Sequence, residues 1–132
     1  VPGFGRWLAR QTRDAVLSEI DFDDWADDPS AELRDRLTAM CAHYLTQVKS
    51  GRWPDDPVAR FHLRNGARLE RINWMGDTSA KGLAQSAGLL VNYLYDADAI
   101  QANHTEFLSS GAVACSPEVE ALAATLSGAA AS

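Results

Sequence analysis

Cysteine is scarce in this sequence, and its two cysteines, Cys41 and Cys115, lie far apart with no CxxC spacing. The scarcity excludes a disulfide-stapled scaffold, and the spacing gives no support to a structural zinc site. Long hydrophobic runs are also missing, since no stretch approaches the roughly 18 apolar residues that a membrane span needs. No signal peptide is recognisable. We therefore expect a soluble chain in a reducing compartment, with no membrane partner.

Positive charge is sparse as well. The chain has 12 Lys and Arg against 18 Asp and Glu, a formal net charge of −6, and neither Lys nor Arg occurs after Lys81. Because a nucleic-acid binder normally carries a basic surplus, that class of function is disfavoured. The three histidines show no HxxxH or HExxH spacing, and the chain contains neither a P-loop nor a GxSxG motif. The sequence thus predicts neither a metal nor a cofactor.

The residues that are present are typical of a globular chain. Its 132 residues, 46% hydrophobic and 23% charged, are enough for one domain or a part of one. We find no internal repeat and no domain boundary. A short amphipathic helix is predicted at the start, followed by an acidic connector, from the positions of Phe4, Trp7, Leu8, Ala15 and Val16.

The clearest helix is predicted to begin at Asp28-Pro29. There a side chain that can cap the helix precedes a proline, whose missing N–H costs nothing in the first turn. Hydrophobic residues then recur at helical spacing up to Gly51, namely Leu33, Leu37, Met40, Cys41, Tyr44, Leu45 and Val48. This stripe predicts a helix packed in the core.

Three further helices are indicated by their ends. The pair Asp56-Pro57 repeats the start signal and opens a short helix, which Asn65-Gly66 should end. Towards the end of the chain, helices are predicted over residues 97–108 and 117–126, the second capped by Ser116.

Two strands are predicted between these helices. The segment ARLERINWM indicates the first strand. The second, Gly88–Tyr95, is apolar on both faces and is therefore predicted to be interior. The intervening segment DTSAKGLAQSA predicts a crossover helix capped by Asp77 or Thr78, so that the two strands would pair in parallel.

Two residues of this region are candidates for chemistry. His62 lies within the short helix, and its neighbours three and four residues away leave room for another molecule at the ring: Val58, Ala59, Asn65 and Gly66. Tyr95 ends the second strand, where residues of open sheets tend to line ligand crevices. These residues alone do not exclude two simpler interpretations. In one, His62 is merely packed or exposed; in the other, Tyr95 has its ring in the core and its hydroxyl at the surface.

The charge pattern around His62 is unusual for this chain. Arg60, Arg64, Arg68 and Arg71 face only one acid, Glu70, in that stretch. Such a positive island suits a small polyanionic ligand, although a solvated arginine face explains it equally well. The other histidines, His43 in the long helix and His104 in register with apolar residues, are predicted to pack.

The segment PVARFHLRNGARLERINWMGDTSAKGLAQSAGLLVNYLY resembles the terminal catalytic segment of the malonyl-CoA decarboxylases. Members of that family carry NPVA-FHL-NGA, R-I-NWM-D-S--G and G-L--NY-Y blocks, which match Pro57–Ala67, Arg71–Gly82 and Gly88–Tyr95. The opening Pro2–Phe4, followed by Trp7-Leu8, resembles a fourth landmark of the family. The four landmarks occur in order and span nearly the whole chain.

The resemblance implies a fold and an activity. The fold would be α/β (α+β), similar to the GCN5-related acyltransferases with additional helices, and residues 1–132 would form the C-terminal portion of one catalytic domain. The reaction would convert malonyl-CoA to acetyl-CoA and carbon dioxide, with the family's catalytic histidine at His62 and its catalytic tyrosine at Tyr95. The catalytic serine, which would form a dyad with His62, and the loop for the coenzyme A pyrophosphate are expected upstream of Val1. Residues 1–132 alone are therefore expected to be inactive.

The same resemblance implies partners and a location. Malonyl-CoA, the upstream part of the same polypeptide and further copies of the protein are the expected partners, with no separate cofactor and no nucleic acid. The expected compartment is the cytoplasm, or alternatively the mitochondrial matrix. Two other functions stay open: a coenzyme A-dependent acyltransferase-like protein or polyketide loading decarboxylase, and a noncatalytic helical interaction module built on the stripe of the long helix.

Overall fold

The structure, a computed structural model, describes residues 1–11, 18–20 and 24–131. The predicted positions Ala15 and Val16 lie outside the described residues. Helices dominate the described residues, with short 3-10 turns at residues 18–20 and at Trp25–Asp27 and two small pairs of strands. In chain order the elements are α1 (Pro2–Leu8), α2 (Ala31–Gln47), β1 (Lys49–Ser50), β2 (Trp53–Pro54), α3 (Pro57–Arg64), β3 (Arg68–Asn73), α4 (Ala80–Ser86), β4 (Leu90–Leu94), α5 (Ile100–Ser110) and α6 (Pro117–Ala131).

Helix α2 is the centre of the core. Its apolar stripe is buried as predicted, with Leu33, Leu37, Met40, Cys41, Tyr44 and Leu45 at most 4% exposed. Helix α6 packs along it. Because the stripe is covered by the protein's own residues, it offers no surface for a noncatalytic interaction module.

The two ends of α2 differ from the prediction by a few residues. The cap is Ser30 rather than Asp28, since the Ser30 Oγ accepts a hydrogen bond from the Leu33 N–H at 3.1 Å. At the other end the helix stops at Gln47, before Gly51. Val48 is already extended, and Gly51 adopts a φ of 67° in the tight turn between β1 and β2.

The prediction of a parallel strand pair was wrong. Strands β3 and β4 are antiparallel, and the end of β3 at Asn73 lies opposite the start of β4 at Leu90. A hydrogen bond closes the connection between the two strands: the Asp77 N–H donates to the carbonyl oxygen of Gly88 at 3.2 Å. Helix α4 within that segment packs against α1 instead of crossing the sheet.

The prediction that the second strand is interior was also wrong for the described residues. Along β4 the side chains alternate, with Leu90, Asn92 and Leu94 exposed and Val91 and Tyr93 half-buried. On the described part of the chain, β4 pairs only with β3, so a single face can pack on the core. The other edge of β3 carries an isolated parallel bridge from Leu69 to Cys115.

The remaining helix ends follow local hydrogen bonds. The cap of α4 is Ser79, whose Oγ accepts from the Gly82 N–H at 3.0 Å, so the prediction of Asp77 or Thr78 was wrong. Asp77 instead accepts from the Ser79 N–H at 3.0 Å and shapes the turn before the helix. The predicted cap of α6 is confirmed, since the Ser116 Oγ accepts from the Val119 N–H at 3.2 Å. Among the described residues, no helix has the length and apolar character that crossing a membrane requires.

Candidate active site

Helix α3 carries His62, and its boundaries follow from the local sequence. The Asp56 Oδ2 accepts a hydrogen bond from the Ala59 N–H at 2.9 Å, and Pro57 occupies the first turn. At the other end Asn65 is the C-cap and Gly66 has a φ of 91°, a conformation that glycine adopts readily. The predicted start and end of this helix are both confirmed.

His62 and Tyr95 meet in space although they are far apart in the sequence. The His62 Nδ1 lies 2.6 Å from the Tyr95 hydroxyl oxygen, a hydrogen-bonding distance. Tyr95 follows β4 directly, and its side chain is 44% exposed. The two residues selected from the sequence therefore belong to one cluster at the surface.

A third aromatic residue, Tyr93, completes the cluster. Its ring stacks on the imidazole of His62 with centroids 4.2 Å apart and planes inclined by 23°. Phe61 presents its ring edge-on to the imidazole at 5.2 Å and is 62% exposed. Of the neighbours expected from helical spacing, Ala59 is fully buried and Val58 is 44% exposed.

Tyr93 was missed in the sequence. The signal was present, since Tyr93 and Tyr95 are two residues apart on an extended segment and such residues lie on one face. Interpreting the strand as apolar on both faces concealed that alternation. A strand with one packed face would have placed both tyrosines on the same face, although which face meets α3 follows from the tertiary structure.

Buried polar atoms lie near this cluster. The Tyr93 hydroxyl and the Asp56 Oδ1 are buried, and neither has a hydrogen-bond partner among the described residues. Burial raises the pKa of Tyr93, and the charge of the Asp56 carboxylate raises it further. The Tyr93 phenol is therefore neutral at physiological pH.

Helix α5 holds the end of α3 that follows His62. The Asn103 Nδ2 donates to the carbonyl oxygen of Gly66 at 3.1 Å, and the His104 Nδ1 lies 2.5 Å from the carbonyl oxygen of Arg64. The Arg64 carbonyl is one of those that a helix leaves without an intrahelical partner at its C-terminus, and Gly66 belongs to the turn that follows. His104 thus contributes to the position of α3 and does not lie in the cluster of His62.

His43 is also separate from the cluster. It is half-buried on α2, and its ring lies 6.1 Å from that of Trp7. Burial lowers the pKa of His43, and its Nδ1 has no hydrogen-bond partner among the described residues. This is the environment of a packed histidine, in agreement with the prediction.

Of the four arginines predicted to form a positive cluster around His62, Arg68 is paired with acidic residues. The Arg68 Nε donates to Glu70 at 2.6 Å, and Arg68 Nη1 lies 3.6 Å from Asp96. The pKa of Arg68 is raised, mainly by its hydrogen bond to Glu70. Arg60, Arg64 and Arg71 have no ion pair among the described residues, and their use as an anion site stays a prediction. No group of three potential metal-binding residues gathers in the described ranges.

Comparison with known proteins gives a consistent result. The family described as "Malonyl-CoA decarboxylase C-terminal domain" matches residues 1–131. A protein named mitochondrial malonyl-CoA decarboxylase from Anser anser anser is 44% identical over 87 residues, which cover 66% of this chain and 17% of the relative. Its namesake from Rattus norvegicus is 42% identical over 92 residues, 70% of this chain and 19% of the relative.

Solved structures agree with the sequence relatives. The malonyl-CoA decarboxylase from Rhodopseudomonas palustris superposes with a TM-score of 0.87 at 40% identity, covering 92% of this chain and 31% of that one. The structure from Agrobacterium vitis gives a TM-score of 0.83 at 41% identity, covering 92% of this chain and 33% of that one.

The chain spans less than a fifth of the length of these curated relatives and about a third of the solved structures. The family match over residues 1–131 spans the positions of both His62 and Tyr95. This chain belongs to the malonyl-CoA decarboxylase family and corresponds to its C-terminal domain.

Proposed function

We propose that this chain is part of an enzyme that decarboxylates malonyl-CoA to acetyl-CoA and carbon dioxide, and that His62 and Tyr95 are its catalytic residues. Membership of the family supports the reaction. The observation that carries the assignment of residues is the 2.6 Å contact between the His62 Nδ1 and the Tyr95 hydroxyl. It joins two side chains that are 33 residues apart at a partly exposed site.

The reaction sets two demands on the site. When the bond between the carboxylate and the α-carbon breaks, its electron pair passes into the thioester and forms an enolate, while carbon dioxide leaves. Oriented donors must stabilise the oxyanion of that enolate. An acid must then deliver a proton to the α-carbon. An imidazole suits the second task because it can lose and regain a proton near neutral pH.

The contact between His62 and Tyr95 supports giving these tasks to different atoms. With Nδ1 engaged by Tyr95, the Nε2 of His62 is the ring nitrogen left for the substrate and for the serine that the resemblance implies elsewhere in the full-length protein. A serine and a histidine in contact can hold the malonyl carboxylate in an orientation that favours cleavage. Tyr95 is 44% exposed, and when the His62 Nδ1–H donates to the Tyr95 oxygen, the single hydroxyl proton of Tyr95 is free to be donated to the developing oxyanion.

The wider setting is part of the same proposal. The described helices and small sheet would complete a fold related to the GCN5-type acyltransferases together with the upstream part of the polypeptide, and the protein would self-associate. The names of the Anser anser anser and Rattus norvegicus relatives include "mitochondrial". For those relatives the name indicates mitochondria, which agrees with the second of the two predicted compartments.

The decisive experiment compares variants of the full-length protein. His62→Asn should lower the turnover of malonyl-CoA by about 10²–10⁴, the usual contribution of acid–base catalysis, while acetyl-CoA affinity stays unchanged. His43→Asn and His104→Asn are the matched controls, and they should change stability rather than turnover per folded molecule. Full turnover by folded His62→Asn would refute the assignment, and a wild-type protein that releases no carbon dioxide from malonyl-CoA would refute the function.

A further inference from the structure

Two tyrosines reach His62 from the same strand segment but touch it in different ways. Tyr95 approaches with its hydroxyl at 2.6 Å, and its ring is tilted by 66° relative to the imidazole. Tyr93 approaches with its ring face, at 4.2 Å and 23°. The contact of Tyr95 is thus a directed hydrogen bond, whereas that of Tyr93 is a nearly parallel stack.

We propose that Tyr93 is a positioning residue for the reaction, and that it acts through its aromatic ring while Tyr95 acts through its hydroxyl. The proposal rests on the proposed function, since it concerns the orientation of the histidine assigned there. Tyr93 does not touch the reacting atoms in this assignment. It sets the direction in which His62 presents its second nitrogen.

A single hydrogen bond restrains that direction only loosely. Tyr95 is 44% exposed, so its side chain can move together with the imidazole when the side chain of His62 rotates. The ring of Tyr93 covers one face of the imidazole and restricts the plane in which it lies. With one atom held and the plane restricted, the direction of Nε2 is defined. Catalysis is sensitive to such orientation, because a displacement of about 1 Å can cost about 10²-fold in rate.

The hydroxyl of Tyr93 has no comparable role in the described structure. It is buried, and no described residue forms a hydrogen bond with it. A buried hydroxyl without a partner contributes nothing favourable to the folded state. Replacing Tyr93 by Phe therefore removes an atom without a described partner and keeps the stacked ring.

The test separates ring from hydroxyl in the full-length protein. Tyr93→Phe should keep kcat within about twofold of wild type. Tyr93→Leu should lower kcat by about 10-fold to 10²-fold with the KM for malonyl-CoA unchanged, since the ring orients a catalytic group and does not hold the substrate. Rates are taken per folded molecule, and Tyr95→Phe serves as the opposite control, in which loss of the hydroxyl alone should reduce kcat.

A spectroscopic measurement covers the case in which Tyr93→Leu does not fold. Nuclear Overhauser contacts between the ring protons of His62 and residue 93 should be present in wild type and in Tyr93→Phe, and the imidazole protons should show the ring-current shift of a stacked neighbour. The absence of these contacts in the folded wild-type protein would overturn the proposal.

The kinetic outcomes also distinguish this proposal from the proposed function. If wild type decarboxylates malonyl-CoA and His62→Asn does not, but Tyr93→Leu keeps full kcat, the positioning role is refuted and the function stands. A loss in Tyr93→Phe equal to that in Tyr93→Leu would also refute it, because the hydroxyl would then be responsible. If the wild-type protein has no activity, the proposed function fails, and a catalytic role for the stacking fails with it.

Discussion

The Asn103 side chain donates a hydrogen bond from Nδ2 to the carbonyl oxygen of Gly66 at 3.1 Å. This contact ties α5 to the turn that ends α3, the helix of His62. Gly66 is buried, and a Cβ at this position would lie 2.5 Å from the carbonyl oxygen of Ile100. The end of α3 is therefore held by α5 both through a hydrogen bond and through close packing.

Replacing Asn103 tests this connection. Asn103→Ala should lower the free energy of unfolding by about 0.5–1.5 kcal/mol, because it leaves the carbonyl oxygen of Gly66 without that donor. Chemical denaturation of the full-length protein measures the change. The control is Gln101→Ala on the same helix. Its side chain donates to the Thr105 hydroxyl at the surface, so this variant should have little effect. Equal effects of the two variants would contradict the role of Asn103.

Tyr95→Phe should lower turnover of malonyl-CoA while the melting temperature stays nearly unchanged. The side chain is 44% exposed, so the hydroxyl is not needed for packing. Loss of one oriented donor in such a site costs at most about 10²–10³ in rate. Steady-state kinetics and a thermal melt of the same sample check both statements. A sharp fall in stability with unchanged turnover per folded molecule would show that the hydroxyl is structural.

A close approach at Gly3 gives a prediction for α1. A Cβ there would lie 2.3 Å from the Tyr44 hydroxyl and 3.2 Å from the Asp56 Oδ1. Because Tyr44 is 1% exposed and cannot move aside freely, Gly3→Ala should destabilise the protein by about 1–3 kcal/mol. Tyr44→Phe removes the atom that the new methyl group would strike. In the double variant the two effects should therefore be non-additive by at least about 0.5 kcal/mol. Strict additivity of the unfolding free energies would contradict this explanation.

The buried thiol of Cys41 predicts a loss of stability at high pH. Burial raises the pKa of Cys41 from its ordinary value of 9.0 to about 12. Between these values the unfolded chain has released a proton that the folded chain still holds. The contribution of Cys41 to stability is therefore fully present below pH 9 and is lost as the pH rises towards 12.

Denaturation at a series of pH values checks this prediction. Cys41→Ala should show a shallower decline of the unfolding free energy above pH 9 than wild type. Cys115→Ala is the control, since burial raises the pKa of Cys115 only to about 11 and its window is narrower. An unchanged slope in Cys41→Ala would mean that other groups cause the alkaline loss.

Local signals in the sequence were sufficient for the helix of the candidate site. Asp56 and Pro57 start α3, and Asn65 and Gly66 end it, because capping and left-handed turns depend on residues adjacent in the chain. The burial of the α2 stripe was equally predictable, since its periodicity belongs to one helix. His62 and Tyr95 were recognised from sequence blocks, and the structure brings them into contact.

Relations between distant segments could not be predicted in this way. The antiparallel pairing of β3 and β4 depends on where α4 packs and on the hydrogen bond between Asp77 and Gly88. The stack of Tyr93 on His62 depends in turn on that pairing, because it decides which face of β4 meets α3. The sequence by itself determined the helices, the caps of α3 and α6, and the residue types of the site. Only the tertiary structure decided which of them meet, since contacts across the fold depend on the packing of whole elements and no local pattern encodes it.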